Sequence, residues 1–219
     1  MVKQIRIFLV ILSFVIATLA CSTGTLNGGT PAPTKYNAVL FQDDFSDPTS
    51  GWAIVHESNQ IMDYYEGRFR IWVNQTNFDV WSVPGLRFTD VQIQADITKL
   101  GGPDDNDTGI ICRYKNPDNF YGFLISSDGY YGITMSQAGD HKVIGMDGMK
   151  FSSTIKTGVA TNHVQADCVG NNLTLYVNGT KLVSVEDSTF AVGDVGLLAG
   201  SFDQPGVDIS FDNYIVKKP

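Results

Sequence analysis

Residues 171–187, NNLTLYVNGTKLVSVED, contain the pattern that decides the fold class. Apolar residues occupy alternate positions before Asn178-Gly179, which is the period of a strand with one buried face, and a second strand-like run follows this pair. Asn-Gly is the preferred pair in a two-residue hairpin turn, because both central residues adopt positive φ. We therefore predict two antiparallel strands joined at Asn178 and Gly179.

The same two-residue period recurs along most of the chain. It is clearest in GRFRIWV (67–73), VQIQADI (91–97) and VDISFDNYIV (207–216). Segments rich in Gly, Pro, Asp and Asn separate these runs, and no segment combines a helical period with helix caps. We therefore predict an all-β domain, an antiparallel sandwich of two sheets with about a dozen strands, each sheet burying one face against the other.

The first 20 residues have the organisation of a signal peptide. Lys3 and Arg6 precede an apolar run over residues 7–20, which is shorter than the roughly 20 residues of a membrane-spanning helix. Cys21 follows directly, and this junction resembles the lipobox of bacterial lipoproteins, in which the Cys carries a diacylglyceryl group. The resemblance implies lipidation of Cys21 and a lipid-anchored position on the bacterial cell surface, outside the cytoplasm. A plain secretory signal followed by an incidental Cys is the alternative.

The rest of the chain is predicted to be a linker and one domain. Residues 21–35 are rich in Ser, Thr, Gly and Pro without an apolar period, which is typical of a flexible linker. Residues 36–219 have the length of a single domain with a sizeable core. We therefore divide the chain into a signal peptide (1–20), a lipidated Cys with its linker (21–35) and a β-sandwich domain (36–219).

The charge of the chain argues against nucleic-acid partners. The sequence has 15 Lys and Arg against 23 Asp and Glu. Because Lys3 and Arg6 lie in the predicted signal peptide, 13 basic residues face 23 acidic ones after its removal, a net charge of −10. Such a surface repels nucleic acids and anionic lipid headgroups. The predicted membrane contact is therefore the lipid anchor.

Two cysteines remain once Cys21 is assigned to lipidation. Cys112 and Cys168 both lie in runs with strand-like alternation, on faces predicted to be buried. An even pair outside the cytoplasm favours a disulfide between them. Two separate buried thiols, which behave as small hydrophobic groups, are the alternative.

Four segments, in order along the chain, carry a resemblance to a known superfamily. They are DDFSDPTSGW (43–52), GIICRYKNPDNFYGFLISSDGYYGI (109–133), NNLTLYVNGTKLVSVEDSTFAVGDVGLLA (171–199) and VDISFDNYIV (207–216). Together they resemble the concanavalin-like, laminin-G-type jelly rolls, closest to the bacterial 3-keto-disaccharide hydrolase domain, which is similar to family 16 glycoside hydrolases. The resemblance covers nearly all of residues 41–217 and implies a jelly roll. It leaves the function open, since this fold hosts lectins, glycosidases and adhesion modules.

The resemblance also implies that the first and last strands pair side by side. These strands are AVLFQDDF (38–45) and VDISFDNYIV (207–216). Their pairing would bring Asp43, Asp44 and Asp212 near one another. Because Ca²⁺ prefers several oxygen ligands, these three residues are candidate ligands of a structural calcium ion.

A second calcium hypothesis concerns DDNDTG (104–109). Asp104, Asn106 and Thr108 have the spacing that opens an EF-hand loop. The twelfth position, where an EF-hand has its bidentate Glu, is Lys115. The segment is therefore not an EF-hand, and the choice is between a loop calcium site and a solvated acidic loop.

No catalytic residue is predicted. The concanavalin-like retaining glycosidases carry two Glu on one strand, spaced E-x-D-x-x-E or E-x-D-x-E, so that an acid and a nucleophile lie about 5 Å apart. Glu57, Glu66 and Glu186 are the only Glu residues, and no pair of them has that spacing. The sequence also has no G-x-S-x-G, H-E-x-x-H or P-loop motif.

Aromatic and cationic residues on polar strand faces are the candidate sugar ligands. An aromatic ring can cover the apolar side of a pyranose, while polar groups bind its hydroxyls. Alternation or position near a turn selects Trp72, Trp81, Tyr131, Tyr176, Arg70 and Arg113. Cross-strand aromatic pairs without a ligand are the alternative interpretation.

These observations lead to three functional hypotheses. The first is a non-catalytic, lectin-like domain that binds a glycan or glycoconjugate on one sheet, and the missing Glu pair favours it. The second is a glycoside hydrolase of the 3-keto-disaccharide type, which follows from the resemblance alone. The third is a structural or protein-interaction module, as in many laminin-G domains.

Overall fold

A computed structural model describes residues 38–219. The predicted signal peptide (1–20), Cys21 and the linker (21–35) lie outside the described residues. Every regular element of the described part is a β-strand, so no helix there is long and apolar enough to cross a membrane. The strands are β1 (Val39–Asp43), β2 (Val55–His56), β3 (Gln60–Tyr65), β4 (Arg68–Val73), β5 (Phe78–Ser82), β6 (Val91–Gly101), β7 (Asn106–Asn116), β8 (Asn119–Ile125), β9 (Tyr130–Gln137), β10 (Asp140–Val143), β11 (Lys150–Phe151), β12 (Thr161–Val169), β13 (Asn172–Val177), β14 (Thr180–Glu186), β15 (Asp194–Ser201) and β16 (Val207–Lys217).

The strands form two antiparallel sheets. Sheet I has nine strands in the order β14-β13-β12-β6-β16-β4-β3-β2, with β1 also paired to β16. Sheet II has seven strands in the order β10-β9-β8-β7-β15-β5, with β11 paired to β9. The prediction of an all-β, two-sheet antiparallel sandwich is confirmed.

The core lies between the sheets because alternate residues of each strand point into it. In β4, Phe69, Ile71 and Val73 are fully buried, while the intervening residues remain at least partly accessible to solvent. The hairpin of residues 171–187 is β13 and β14, and both Asn178 and Gly179 at its turn have positive φ. The local pattern and its predicted turn chemistry are therefore both confirmed.

A disulfide links the two sheets. Cys112 of β7 in sheet II is bonded to Cys168 of β12 in sheet I, and both side chains are fully buried. The predicted pairing is confirmed. It closes a loop of 56 residues through the centre of the sandwich.

The first and last strands pair as predicted. Asp43 of β1 is opposite Tyr214 of β16, and this antiparallel pairing extends to Val39 and Lys217. The strand β16 also pairs with β4 and β6, so it lies near the middle of sheet I. The N-terminal strand of the described part therefore covers a stretch of β16 that β4 leaves unpaired.

Candidate functional site

A second apolar cluster lies outside the core, on the outer face of sheet II. In β15, Leu197 belongs to the core between the sheets, whereas its neighbour Leu198 belongs to the outer cluster. The same alternation in β7 and β8 directs further side chains outward. The floor of this cluster consists of Ile111, Phe120, Leu124 and Leu198, and Trp81, Tyr114 and Met149 pack around it.

Aromatic rings form one side of this outer face. The ring centroid of Phe120 lies 5.4 Å from that of Trp81, 5.8 Å from that of Tyr114 and 5.4 Å from that of His141. The indole Nε1 of Trp81 donates a hydrogen bond to the Tyr114 hydroxyl at 3.4 Å. Because Trp81 is only half-buried, part of this aromatic surface is open to a ligand.

Two adjacent pockets lie beside the aromatic rings. The first has a volume of about 210 Å³, and its lining includes Asp79, Asp107, Phe120, His141, Met149 and Phe202. The second has a volume of about 500 Å³ and is lined by Asp105, Ser126, Asp128, Tyr130, Met149 and Phe202. Because both pockets share Met149 and Phe202, we call them together the groove.

Met149 can lie against the sheet because Gly132 beneath it has no side chain, and a Cβ there would be 3.3 Å from the Met149 Cγ.

Two carboxylates converge at the base of the first pocket. Asp79 of β5 and Asp107 of β7 are both opposite Gly200 of the intervening strand β15. A Cβ on Gly200 would collide with Oδ1 of both carboxylates, so the two groups occupy the space above this glycine. Asp107 is 6% exposed, and its Oδ1 has no hydrogen-bond partner.

The surroundings of these carboxylates favour their protonated forms. Burial, followed by the negative charges of Asp79 and Asp105, raises the pKa of Asp107 well above its ordinary value. Burial also raises the pKa of Asp79, and His141 partly opposes that effect. A buried carboxyl pair with raised pKa values in a pocket is a common mark of a functional site.

Three of the predicted sugar ligands lie on the other sheet. Trp72 and Arg70 of β4 and Tyr176 of β13 are half-buried residues on the outer face of sheet I, as the alternation predicted. Arg70 is committed to Asp208, to which Nε and Nη2 each donate a hydrogen bond of 2.7 Å. Since β16, β6 and β12 separate β4 from β13, the predicted set does not form one surface.

The remaining predicted ligands have separate positions. Trp81 lies in the outer aromatic cluster of sheet II. Tyr131 packs against the core, and its hydroxyl donates to the Leu182 carbonyl at 3.4 Å. Trp81 is therefore the only one of the six beside the groove in the described structure.

Arg113 requires a correction. The sequence placed it on a polar strand face, but its side chain is 2% exposed and donates to the carbonyls of Phe190 at 2.7 Å and Gly170 at 2.6 Å. The pairing of β7 shifts register after Cys112, and Arg113 itself has a φ of 53°. This irregularity breaks the two-residue alternation, so the guanidinium turns inward and stabilises loop carbonyls.

The predicted calcium ligands at the paired termini have protein partners. Asp43 accepts hydrogen bonds from the Phe45 amide at 2.7 Å and from the Trp52 Nε1 at 2.8 Å. Asp44 caps its own turn through Ser46, and Asp212 lies 3.8 Å from the guanidinium of Arg68. Among residues 38–219, no three His, Cys, Asp or Glu side chains are grouped to hold a metal. Calcium at Asp43, Asp44 and Asp212 stays a prediction.

The DDNDTG segment lines the groove with residues other than those considered as calcium ligands. Asp104 pairs with Lys99, the Asn106 side-chain Nδ2 donates to the Pro103 carbonyl, and the Thr108 hydroxyl donates to the Leu198 carbonyl. The carboxylates of this segment that line the groove are Asp105, in the second pocket, and Asp107, in the first. Within FDVWS (78–82), the alternation places Asp79 and Trp81 on one strand face. This pattern is the sequence signal from which Asp79 could be proposed as a neighbour of Trp81 in a site. The meeting of Asp79 with Asp107 depends on the order β5-β15-β7, which the local pattern does not contain.

Solved structures with the same architecture come from carbohydrate-active and uncharacterised proteins. The carbohydrate-binding module CBM66 from Bacillus subtilis matches with a TM-score of 0.62 and 17% identity over 77% of this chain and 96% of that chain. A Bacillus subtilis protein of unknown function with a galectin-like fold matches with a TM-score of 0.62 and 10% identity, over 83% and 96%. A family GH43 protein from Bacillus licheniformis matches at 0.59 and 16% identity, over 85% of this chain and 40% of that chain.

These similarities establish a fold of the concanavalin-like and galectin-like type. At such low identity they establish the fold alone. The sequence matches no protein-family model and no curated protein. The functional assignment therefore depends on the groove itself.

Proposed function

We propose that this domain binds a carbohydrate in the groove of sheet II. The observation that carries the proposal is the half-buried ring of Trp81 and its aromatic neighbours beside a pocket with converging carboxylates. Aromatic surface suits the apolar side of a sugar ring, and carboxyl oxygens accept hydrogen bonds from its hydroxyls. The similar fold of CBM66, described as a carbohydrate-binding module, gives further support.

The size and charge of the groove narrow the ligand class. The two pockets have volumes of about 210 and 500 Å³, and ligand sites of roughly 300–1,000 Å³ hold drug-sized molecules. We therefore expect an oligosaccharide of more than one ring. Asp105 and Asp128 line the second pocket, so neutral glycans should bind better than glycans rich in carboxylate or sulfate.

The proposal includes a location outside the cytoplasm, with Cys21 as the lipid anchor. The disulfide between Cys112 and Cys168 supports this location, because such bonds persist mainly in oxidising compartments. The test is metabolic labelling of the expressed protein with a fatty acid. Label should be incorporated in the wild type and lost in Cys21→Ala, whereas a cleaved but unlabelled wild type would indicate a plain secretory signal.

The binding test compares two tryptophans on opposite sheets. Glycan binding is screened on an array of neutral and acidic oligosaccharides, and hits are measured by calorimetry. Trp81→Ala should weaken binding about tenfold, equivalent to about 1.4 kcal/mol, because stacking surface is lost. Trp72→Ala, the matched control on sheet I, should bind as the wild type does.

Other outcomes assign a different role. Loss of binding in Trp72→Ala alone would place the site on sheet I. A wild type that binds no glycan and co-purifies with an envelope protein would support the third hypothesis, an interaction module.

A glycoside hydrolase is the second candidate function. The specific observation in its favour is the convergence of Asp79 and Asp107, since glycosidases use paired carboxyl groups. The measurement is release of reducing ends from the glycans that bind. Hydrolysis that is abolished in both Asp79→Asn and Asp107→Asn would establish it, and release equal to the buffer blank would leave a binding domain.

A further inference from the structure

The strongest unexplained feature of the groove is the convergence of its two carboxylates on one point. Asp79 and Asp107 project from strands separated by β15, and both Oδ1 atoms reach the space above Gly200. That space exists because residue 200 has no side chain. Whenever both groups are ionised, two like charges are thus directed at one point rather than away from each other.

Nothing in the described protein neutralises this pair directly. None of the ion pairs between described residues includes Asp79 or Asp107. Asp107 is more than nine-tenths buried, and its Oδ1 has no hydrogen-bond donor. His141 and Lys142, both exposed residues of β10, are the basic residues in the lining of the first pocket. A buried carboxylate without a partner is costly, and the pair can avoid that cost either by holding protons or by binding a positive group.

We propose that Asp79 and Asp107 bind a divalent cation, Ca²⁺ by its ligand chemistry, at the base of the groove. Both protein ligands are carboxylate oxygens, which hard cations such as Ca²⁺ prefer over the nitrogen and sulfur ligands of zinc. A cation above Gly200 would neutralise both charges and satisfy the Oδ1 of Asp107. The site differs from the predicted one at Asp43, Asp44 and Asp212.

The small number of protein ligands has a consequence for binding. Ca²⁺ takes 6–8 oxygen ligands, and two carboxylates supply at most four. The remaining positions face the pocket and would be filled by water or by the hydroxyls of a sugar. This part rests on the proposed function, and it makes the cation and the glycan mutually dependent, since coupling between two ligands is reciprocal.

Terbium luminescence tests the cation site without any glycan. Tb³⁺ replaces Ca²⁺ at oxygen sites and emits when a nearby tryptophan is excited, and Trp81 is two residues from Asp79 on the same strand face. Titration of the wild type should give saturable emission that Ca²⁺ displaces with a Kd of about 0.1–1 mM, the range of extracellular calcium modules. Emission should be lost in both Asp79→Asn and Asp107→Asn.

Asp212→Asn is the matched control, because it removes a carboxylate from the other sheet and should keep the emission. Circular dichroism and thermal unfolding show whether each variant is folded. Emission that persists in folded Asp107→Asn, or no Ca²⁺-displaceable emission in the wild type, overturns the proposal. Loss of emission in Asp212→Asn alone would place the ion at the paired termini instead.

Calorimetry then separates the cation from the glycan. With a glycan that binds, removal of Ca²⁺ by EDTA should weaken affinity at least tenfold, and saturating glycan should tighten Ca²⁺ binding by the same factor. Terbium emission with no glycan affinity would retain the cation site and reject the proposed function. Glycan affinity that is unchanged by EDTA, with no terbium emission, would retain the function and reject the cation site.

Discussion

The carboxylates of Asp79 and Asp107 meet above Gly200, although the strands that carry them are not neighbours. The meeting depends on register, since both residues are opposite the same glycine of β15. The two carboxylates at the base of the groove are thus brought together by β5, β7 and β15, which lie in separate parts of the sequence.

Gly200→Ala tests this arrangement directly. The new methyl group would collide with both carboxylates, and overpacking of this kind costs about 1–3 kcal/mol. Urea unfolding should show that loss. Gly101→Ala is the control, because Gly101 has open space around its Cβ position and should change stability little. Equal stability of the two variants would mean that the carboxylates do not occupy the space above Gly200.

The pH dependence of stability follows from the raised pKa of Asp107. An Asp in the unfolded chain titrates near pH 4. Above that pH the folded state retains the Asp107 proton when the unfolded state has lost it, so stability falls as pH rises until the raised pKa is passed. Asp107→Asn removes this contribution. Urea unfolding from pH 4 to 8 in EDTA should therefore show a variant that gains stability relative to the wild type as pH rises.

If the difference in unfolding free energy between Asp107→Asn and the wild type stayed constant from pH 4 to 8, that result would contradict a raised pKa of Asp107. EDTA is needed because a bound cation would hold the carboxylate ionised and hide the effect. Asp167 and Asp194 also have pKa values raised by burial, and they are present in both proteins, so the comparison reports on Asp107 together with Asp79, the carboxyl with which it interacts.

The disulfide should contribute strongly to stability. Cross-linking a loop of 56 residues stabilises the folded state by about 4 kcal/mol in the chain-entropy model. Thermal unfolding with and without reductant, together with the Cys112→Ala/Cys168→Ala double variant, measures the effect. Both conditions should lower the midpoint temperature, and an unchanged midpoint in reductant would mean that the bond does not form in solution.

Asp43 should contribute strongly to the stability of the fold, whereas its neighbour Asp44 should contribute little. Asp43→Ala removes the acceptor of the buried Trp52 Nε1 and the Phe45 amide, and leaving such groups unpaired costs about 3 kcal/mol. Asp44→Ala affects an exposed turn and should change stability little. Urea unfolding in Ca²⁺ and in EDTA distinguishes the roles. A wild-type stability that depends on Ca²⁺, with the dependence lost in both variants, would instead support a metal at the termini.

The sequence predicted the fold because alternation and turn chemistry are local. The face assignments of Trp72 and Tyr176 were correct, and the hairpin at Asn178-Gly179 formed as predicted. Arg113 was misplaced because an irregularity in β7 interrupts the period at that residue, and nothing in the neighbouring residues marks it.

The candidate site was less accessible to sequence reasoning. A motif of catalytic acids is recognisable in sequence when both acids lie on one strand, whereas Asp79 and Asp107 come from β5 and β7 and meet only because β15 lies between them. The order of strands in a sheet is a long-range property. Phe120 and Leu124 were equally hard to place, since both faces of β8 are buried and alternation cannot separate core from groove.

The pairing of β1 with β16 has a practical consequence. The Lys218 amide donates a hydrogen bond of 2.8 Å to the Ala38 carbonyl, so the start and end of the described fold are in contact. A short peptide could join these positions, and new termini could be opened at the exposed Gly179 turn between β13 and β14. A circular permutant built in this way should keep every strand pair of sheet II, which would allow the groove to be displayed from a different attachment point.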